Sequence, residues 1–461
     1  MTARSRPLAS VLETIGRTPM IRLSRVTRGI RTPVLVKAEQ FNPGGSVKDR
    51  IGLAIIEAAE ESGALKPGGV IVEGTSGNTG IALAIAAALK GYRCIFTIPD
   101  KMSSEKIRLL RAFGAEVVIV PTAVPPDHPE YYVQKAKAIV ASTPGAVLAD
   151  QHFNPVNPEA HYRTTGPEIW EQTEGKVTHF VCSPGTGGTL SGVGRYLKEK
   201  NPAVRVIAPD PVGSIYTEYA ASHAKGEGFP YKVEGVGGDK IPTSLHFDVV
   251  DEFIQVSDRD AFRMARRLTR EEGLFVGGSS GLNVHVALGL ARRLDDPAAC
   301  VVTVLCDSGE RYLSKLYDDA WMRENQMMES EPITVEALIA ERPAAIPPLV
   351  SVAPSASVRQ ALNLMSTYGI SQVPVVVGND CVGSVSEGPV IARALADAKL
   401  LERAVSEVMQ PPFPVVDARL PIERLNTLLS HETQAALVRR DGRLVGIVTR
   451  YDVLRQVAGI R

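Results

Sequence analysis

A chain of 461 residues is longer than one ordinary hydrophobic core, so two or three domains are expected. Its 51 basic and 51 acidic residues balance, which leaves no overall field to gather nucleic acid or an anionic membrane surface. No run reaches the roughly 18 apolar residues of a membrane span, and the start MTARSRPLASVLETIG has no apolar leader segment. Small molecules and like subunits are the expected partners.

The five cysteines are spread along the chain with no CxxC pair, and most lie in or beside apolar runs. Buried free thiols are typical of a reducing compartment, so a cytoplasmic location is expected and no metal site is predicted. The cysteines are Cys94, Cys182, Cys300, Cys306 and Cys381.

Short β-branched runs alternate with helical stretches from about residue 34 to residue 317, beginning with VLVKA and ending with CVVTVLCD. This alternation predicts an α/β domain with a mostly parallel sheet. Open parallel sheets bind ligands beyond the carboxyl ends of their strands, where loops lead into helix N-termini. The glycine-rich turns that follow the strands are therefore the candidate binding loops.

The first of these turns, NPGGSVK, places Lys48 at the start of a helix whose apolar residues recur at helical spacing. A cation at the positive end of a helix dipole is unfavourable by about 0.3–1 kcal/mol, and this position lowers the lysine pKa. A lowered pKa suits a lysine that must attack an aldehyde as the neutral amine. The plain structural alternative is a solvated lysine beside Asp49.

Two further turns are rich in small residues. The turn TSGNTG, residues 75–80, lies between strand VIVE and an apolar helix, and its backbone N–H groups suit a carboxylate. The turn GTGGT, residues 185–189, opens another helix and is compact enough for a phosphate monoester. It lacks the GxGxxG and GxxxxGK[ST] spacings of nucleotide folds. A capped strand-to-helix turn is the alternative explanation for each.

The α/β pattern ends near residue 323, and a charged, proline-rich segment follows. Beyond it, residues 350–391 match residues 413–454, each copy reading as strand, helix, two strands, helix. Pairing two such units covers the sheet face that one unit leaves exposed. We expect a catalytic domain over residues 1–323, a linker over 324–348 and a tandem module over 349–461.

The motifs NPGGSVKDR, TSGNTG, GTGGT and GGSSG, in this order, resemble the cysteine synthase and cystathionine β-synthase family of pyridoxal-phosphate enzymes, over residues 8 to 323. The resemblance implies fold type II, with two α/β subdomains, and pyridoxal 5'-phosphate (PLP) as cofactor. It makes Lys48 the Schiff-base lysine and the catalytic base. It implies PLP contacts from Asn78, Ser279 and the phosphate-binding residues Gly185, Thr186, Gly187, Gly188 and Thr189, and substrate carboxylate contacts from Thr75, Ser76, Thr79 and Gln151.

The C-terminal repeat resembles a pair of CBS motifs, an α+β module that senses adenosine ligands in its family. Its second copy, GIVTRYD, implies a candidate ribose site at Thr449 and Asp452, while the first copy has Pro389 at the aspartate position. A purely structural pairing or dimerisation module is the alternative. The resemblance also implies at least a homodimer.

Two β-replacement reactions fit the family, serine with homocysteine giving cystathionine and O-acetylserine with sulfide giving cysteine. The CBS pair and the block ADQHFNPVNPEAHY favour the first. Against it, His152 and Gly238 stand where that branch often has tyrosines. No haem is predicted, because neither Cys nor His precedes the fold. An adenosine-ligand sensor on an inactive scaffold is the alternative of another class.

Overall fold

The computed structural model describes residues 7–75, 77–100, 102, 104–125, 127–224, 226–328, 334–340, 347–429 and 433–458. The chain divides into two compact units, Met1–Met328 and Glu329–Arg461. No helix of the described residues is long and apolar enough to cross a bilayer.

The strands of the first unit are short, and most are buried. They are β1 (Met20–Arg22), β2 (Val34–Ala38), β3 (Val70–Gly74), β4 (Arg93–Pro99), β5 (Glu116–Val120), β6 (Ala146–Leu148), β7 (His179–Val181), β8 (Arg205–Pro211), β9 (Glu252–Val256) and β10 (Val301–Leu305). The helices between and after them are α1 (Lys48–Glu61), α2 (Asn78–Lys90), α3 (Ser104–Ala112), α4 (Tyr132–Ser142), α5 (Val156–Arg163), α6 (Thr165–Gln172), α7 (Gly188–Lys200), α8 (Tyr216–Ser222), α9 (Asp258–Arg267), α10 (Gly278–Leu294) and α11 (Asp319–Glu324).

These strands form two sheets. One has the order β1-β2-β10-β7-β8-β9 and is parallel except for β1, and the other has the order β5-β4-β3-β6 and is parallel throughout. Helices α2 and α10 are buried along most of their length, since their apolar residues surround the helix rather than forming one stripe. The predicted α/β class with mostly parallel sheets is confirmed.

The order of strands in the larger sheet determines which loops meet. The last strand, β10, pairs in parallel with both β2 and β7. The loops that follow β2, β7 and β10 therefore emerge side by side at one edge, because parallel strands share their carboxyl ends.

The second unit contains the predicted repeat. Its elements are α12 (Val335–Ala340), α13 (Val358–Tyr368), β11 (Gln372–Val377), β12 (Asp380–Ser386), α14 (Glu387–Ala396), β13 (Val415–Asp417), α15 (Ile422–Leu428), β14 (Ala435–Arg440), β15 (Arg443–Thr449) and α16 (Arg450–Ala458). The hairpins β11-β12 and β14-β15 correspond, and the parallel pairing of β13 with β14 corresponds to an isolated parallel bridge between Val352 and Val375.

Helix α12 lies within the segment expected to be a linker. Its side chains Val335 and Leu338 are buried in a core with Val416, Leu425 and Val448. Residues 335–340 therefore pack with the second unit.

Candidate active site

Lys48 is the first residue of α1 and follows a loop that is fastened to the end of β10. The Val47 N–H donates to the Cys306 carbonyl (2.8 Å). Arg311 Nη1 donates to the Gly45 carbonyl (2.7 Å). These bonds fix the loop before Lys48 at the edge of the sheet where β10 ends. Lys48 therefore begins α1 beside that edge.

The surroundings of Lys48 favour its neutral amine. Burial lowers the pKa of Lys48, and only negative charge on Cys306, Cys182 or Asp307 would oppose that shift. Burial also raises the pKa of Cys306 to about 12 and that of Cys182 well above its usual range, so both thiols are uncharged near neutral pH. Asp307 is then the remaining counter-charge among these neighbours.

The second glycine-rich turn connects β3 to α2. Thr75 Oγ1 accepts a hydrogen bond from the Gly77 N–H (3.0 Å), and Thr79 Oγ1 donates to Gln151 Oε1 (2.5 Å). Thr75, Thr79 and Gln151 are all buried. Ser76, the remaining predicted carboxylate contact, lies outside the described residues. The fold therefore brings Gln151 to this turn from a loop that lies 72 residues after Thr79 in the sequence.

Asn78, the first residue of α2, pairs with a carboxylate that the sequence analysis did not identify. Asn78 Nδ2 donates to Asp307 Oδ2 (2.7 Å), which also accepts from Tyr312 Oη (2.6 Å). Asp307 is buried and follows β10 in the sequence CDSGERY. A buried acid just past the carboxyl end of a strand is the signal that could have found it.

The third turn, between β7 and α7, leaves no room for a side chain at its glycines. Gly187 has a φ of +88°, in the region that favours glycine. A Cβ at Gly185 would overlap the Gly235 carbonyl, and one at Gly188 would overlap Asn157 Oδ1. The backbone can therefore approach a ligand closely at the N-terminus of α7, where N–H groups and the helix dipole favour an anion.

A second layer of polar residues supports this turn from α5. Asn157 Nδ2 donates both to the Gln151 carbonyl (2.8 Å) and to Thr186 Oγ1 (2.9 Å). His161 Nε2 lies 3.1 Å from Thr189 Oγ1, and burial lowers the His161 pKa far below its usual range. The sequence analysis used the block containing Asn157 and His161 only as a family marker. Its spacing of four residues, which puts both side chains on one helix face, was the available signal.

Ser279, near the start of α10, lies at the same edge. The hydroxyl of its neighbour Ser280 accepts from the Cys306 N–H (2.9 Å), and the Gly277 N–H donates to the Asp307 carbonyl (3.2 Å). Ser279 is buried and carries no charge. A ring nitrogen bound there would meet a hydroxyl and not a carboxylate.

The region where relatives often have tyrosines is filled differently. His152 borders a cavity with Gly238 and Tyr216. A Cβ at Gly238 would overlap the Tyr216 hydroxyl, so Tyr216 brings a phenol to the place that the glycine leaves open. Burial lowers the pKa of His152 to about 4, and the imidazole is neutral at physiological pH.

These residues fit PLP. Lys48 offers an amine for its aldehyde, and the small-residue turn at α7 offers backbone donors for its phosphate. Among the described residues, the buried atoms Asn78 Oδ1, Ser183 Oγ and Asp307 Oδ1 have no hydrogen-bond partner in the protein. Buried polar atoms normally have one, so a polar ring between these loops would complete the set.

In the second unit, Thr449 and Asp452 interact at the start of α16. The Thr449 N–H and Oγ1 both donate to Asp452 Oδ2 (2.7 Å each). Pro389 occupies the corresponding position of the first copy, on α14.

The model of the pyridoxal-phosphate dependent enzyme family matches residues 11–307, and the CBS domain model matches residues 343–388 and 405–459. The cystathionine beta-synthase of Dictyostelium discoideum is 38% identical over 96% of this chain and 91% of its own length. That of Mus musculus is 41% identical over 94% of this chain and 77% of its own length.

Solved structures are similar over the first unit. The O-acetylserine dependent cystathionine beta-synthase of Helicobacter pylori is 38% identical, with a TM-score of 0.62 over 67% of this chain and 98% of that one. An O-ureido-L-serine synthase is 39% identical, with a TM-score of 0.61 over 69% of this chain and 100% of that one. With its cofactor-fitting loops and its CBS pair, the chain belongs to the cystathionine β-synthase family of pyridoxal-phosphate dependent enzymes.

Proposed function

We propose that this enzyme replaces the hydroxyl of L-serine by the thiol of L-homocysteine, giving L-cystathionine and water, a transsulfuration reaction. The observation that carries the proposal is the convergence of the loops at the end of β10. The Lys48 loop is bonded there through Val47 and the turn after β3 through Asn78, and the turn after β7 emerges from the neighbouring strand. The full-length similarity to relatives named cystathionine beta-synthase supports serine as the first substrate.

In this proposal the cofactor is held by residues from four loops, and the substrate carboxylate by residues from two. Bound PLP supplies an electron sink for the electron pair released at the substrate Cα. The cofactor contacts come from Lys48, Asn78, Ser279 and the phosphate-binding residues Gly185, Thr186, Gly187, Gly188 and Thr189. The carboxylate contacts come from Thr75, Ser76, Thr79 and Gln151.

Lys48 moves the protons of the reaction. A neutral amine is needed to take the proton from Cα, and burial at the start of α1 supplies it. The protonated Lys48 is then a donor where hydroxide must leave as water, since hydroxide is a poorer leaving group than acetate. His152 is neutral and accepts a proton poorly at its pKa of about 4, so it acts mainly by lining the site.

The test of this role is the visible absorption of the purified enzyme. We expect a yellow protein whose visible band is lost in Lys48→Ala, with turnover reduced by about 10²- to 10⁴-fold, the usual contribution of a general base. Lys176→Ala is the control, because that side chain is 71% exposed. A colourless wild type that PLP does not reconstitute would overturn the proposal.

The alternative substrate pair is O-acetylserine and sulfide. It is favoured by the similarity to an O-acetylserine dependent enzyme and by the absence of tyrosine at His152 and Gly238. Measuring kcat/KM for both pairs under the same conditions separates the two, since that ratio measures discrimination. A larger value for O-acetylserine with sulfide would replace the serine assignment.

CBS domains generally bind adenosine ligands, and we assign such a site in this chain to Thr449 and Asp452. Their mutual hydrogen bonds order the turn before α16. Ligand binding raises the melting temperature by linkage, so adenosine compounds are compared on wild type and Asp452→Ala. No shift with any compound would favour a pairing or dimerisation role. Homodimer assembly and a cytoplasmic location are also part of the proposal.

A further inference from the structure

A cavity of about 60 Å³ opens beside the loop that carries Gln151. Two contacts connect its walls to the active site. Tyr216 Oη donates to the Gly185 carbonyl of the phosphate-binding turn (2.8 Å). His152 directly follows Gln151, whose Oε1 accepts a hydrogen bond from Thr79 Oγ1 (2.5 Å) in the turn after β3. The cavity is therefore next to the reaction centre, on the side that the loop after Gly238 borders.

The interior of the cavity is aromatic and apolar. Tyr131, Tyr132 and Leu148 line it together with His152. Its volume corresponds to about four water molecules, at roughly 15 Å³ for each. A space of this kind, mainly apolar and lined by aromatic rings, suits an unbranched apolar chain such as the CH₂–CH₂–SH of an amino-acid thiol.

Both signs of charge are present where the cavity meets solvent. Asp239 is exposed, and its neighbour Lys240 lies with Nζ 4.4 Å from the centre of the Tyr131 ring. Both residues line the cavity together with His152. An amino acid carries a carboxylate and an ammonium group on one carbon, and an adjacent Asp–Lys pair is complementary to it.

Glu73, a buried carboxyl in the cavity wall, offers little competing charge to that ammonium group. Burial raises the pKa of Glu73 to about 8, so this carboxyl is largely protonated at neutral pH. Glu73 Oε2 accepts a hydrogen bond from the Asp150 N–H (2.8 Å), and this bond holds the loop that carries Asp150. The charged head of a ligand is therefore favoured at the mouth and its apolar chain inside.

We propose that this cavity binds the second, thiol-bearing amino-acid substrate, with its carboxylate on Lys240, its ammonium group on Asp239 and its thiol end toward His152. The assignment rests on the proposed β-replacement and names the residues that select an amino-acid thiol. A small acceptor such as sulfide has no head group and does not use Lys240 or Asp239.

The experiment compares two acceptors on the same PLP-loaded enzyme with serine as the first substrate. In Lys240→Met, which keeps an unbranched stem against Tyr131, we expect the KM for L-homocysteine to rise about tenfold or more. The KM for sulfide, the KM for serine and kcat should change less than about threefold. Lys232→Met is the matched control, since Lys232 also lies over a ring, that of Trp321 at 5.9 Å, outside the cavity.

Asp239→Asn provides a second variant with the same expected selectivity. A head-group series extends the test: wild type should prefer L-homocysteine to 1-propanethiol in kcat/KM, and Lys240→Met should reduce that preference. An unchanged KM for homocysteine, or an equal loss with sulfide, would overturn the cavity assignment while leaving β-replacement intact. A wild type that turns over sulfide but neither thiol would overturn both the cavity assignment and the homocysteine assignment.

Discussion

Asn157 joins the turn after β7 to the loop that carries Gln151, and its replacement should weaken both. The side chain is fully buried on α5 and donates to the Gln151 carbonyl (2.8 Å) and to Thr186 Oγ1 (2.9 Å). Asn157→Ala removes both donors at once.

The expected magnitude follows from these two bonds. Each hydrogen bond contributes about 0.5–1.5 kcal/mol net, and the acceptors left behind are buried. Ser244 Oγ, 3.4 Å from the Gln151 carbonyl, offers that acceptor a weak replacement partner. We therefore expect the free energy of unfolding to fall by about 2 kcal/mol. About half of this, on the Thr186 side, corresponds to a roughly fivefold weaker affinity for PLP.

The assay is a PLP titration of the apoenzyme, followed by visible absorbance, together with the KM for serine. Asn157→Asp should lower the PLP affinity and the stability more than Asn157→Ala does, because it places a carboxylate oxygen against the Gln151 carbonyl. Asn363→Ala, at an exposed position of the second unit, is the control. If Asn157→Ala retained the PLP affinity, the serine KM and the stability of wild type, the bridge would be unimportant and this reasoning refuted.

Three further predictions concern buried groups. Glu168 pairs with Arg50 and Lys37 (2.7 Å each), which hold its pKa at about 2 against the effect of burial. Glu168→Gln should lower stability by about 3 kcal/mol in denaturant titrations, and the wild-type contribution, complete above about pH 4.5, should be lost as the pH falls toward 2. Burial raises the Glu73 pKa to about 8, so the folded state binds a proton that the unfolded state releases, and stability should fall from about pH 4.5 to 8. Glu73→Gln should flatten that slope, and a slope unchanged from wild type would contradict the assignment. Gly238→Ala should displace Tyr216 from the Gly185 carbonyl and weaken PLP binding, as measured by absorbance titration; equal affinity would mean that Tyr216 does not support the turn.

The glycine-rich turns and the helix starts that follow them could be predicted from sequence because their signals are local. Lys48, Asn78 and Gly188 are the first residues of α1, α2 and α7, where the glycine-rich turns indicated helix starts. Turn geometry depends on a few adjacent residues, and small side chains at a strand-to-helix junction are visible in one sequence. The same holds for the repeat of the second unit, because the match between residues 350–391 and 413–454 is visible in the sequence itself.

The supporting contacts could not be predicted, because they depend on the order of strands in the sheet. Asn78 and Asp307 are 229 positions apart, and they follow β3 and β10, which belong to different sheets, so their contact depends on the arrangement of both sheets. Alternating strands and helices predict a parallel sheet without specifying which strand is central. The pairing of Asn157 with Thr186 likewise requires the crossing of α5 over α7, which hydrophobic periodicity does not encode.

The polar atoms left without protein partners explain why these contacts cluster at the cofactor site. Asn78 and Asp307 are bonded to each other through Nδ2 and Oδ2, while the Oδ1 atom of each is buried without a partner. Ser183 Oγ, also without a partner, lies just before the turn that follows β7. Each unsatisfied buried group costs about 1–3 kcal/mol, so the protein without PLP carries a local penalty that a bound polar ligand relieves. PLP binding should therefore raise the free energy of unfolding of the first unit by more than the attachment at Lys48 alone would, because a bound ligand would give partners to polar atoms from three loops.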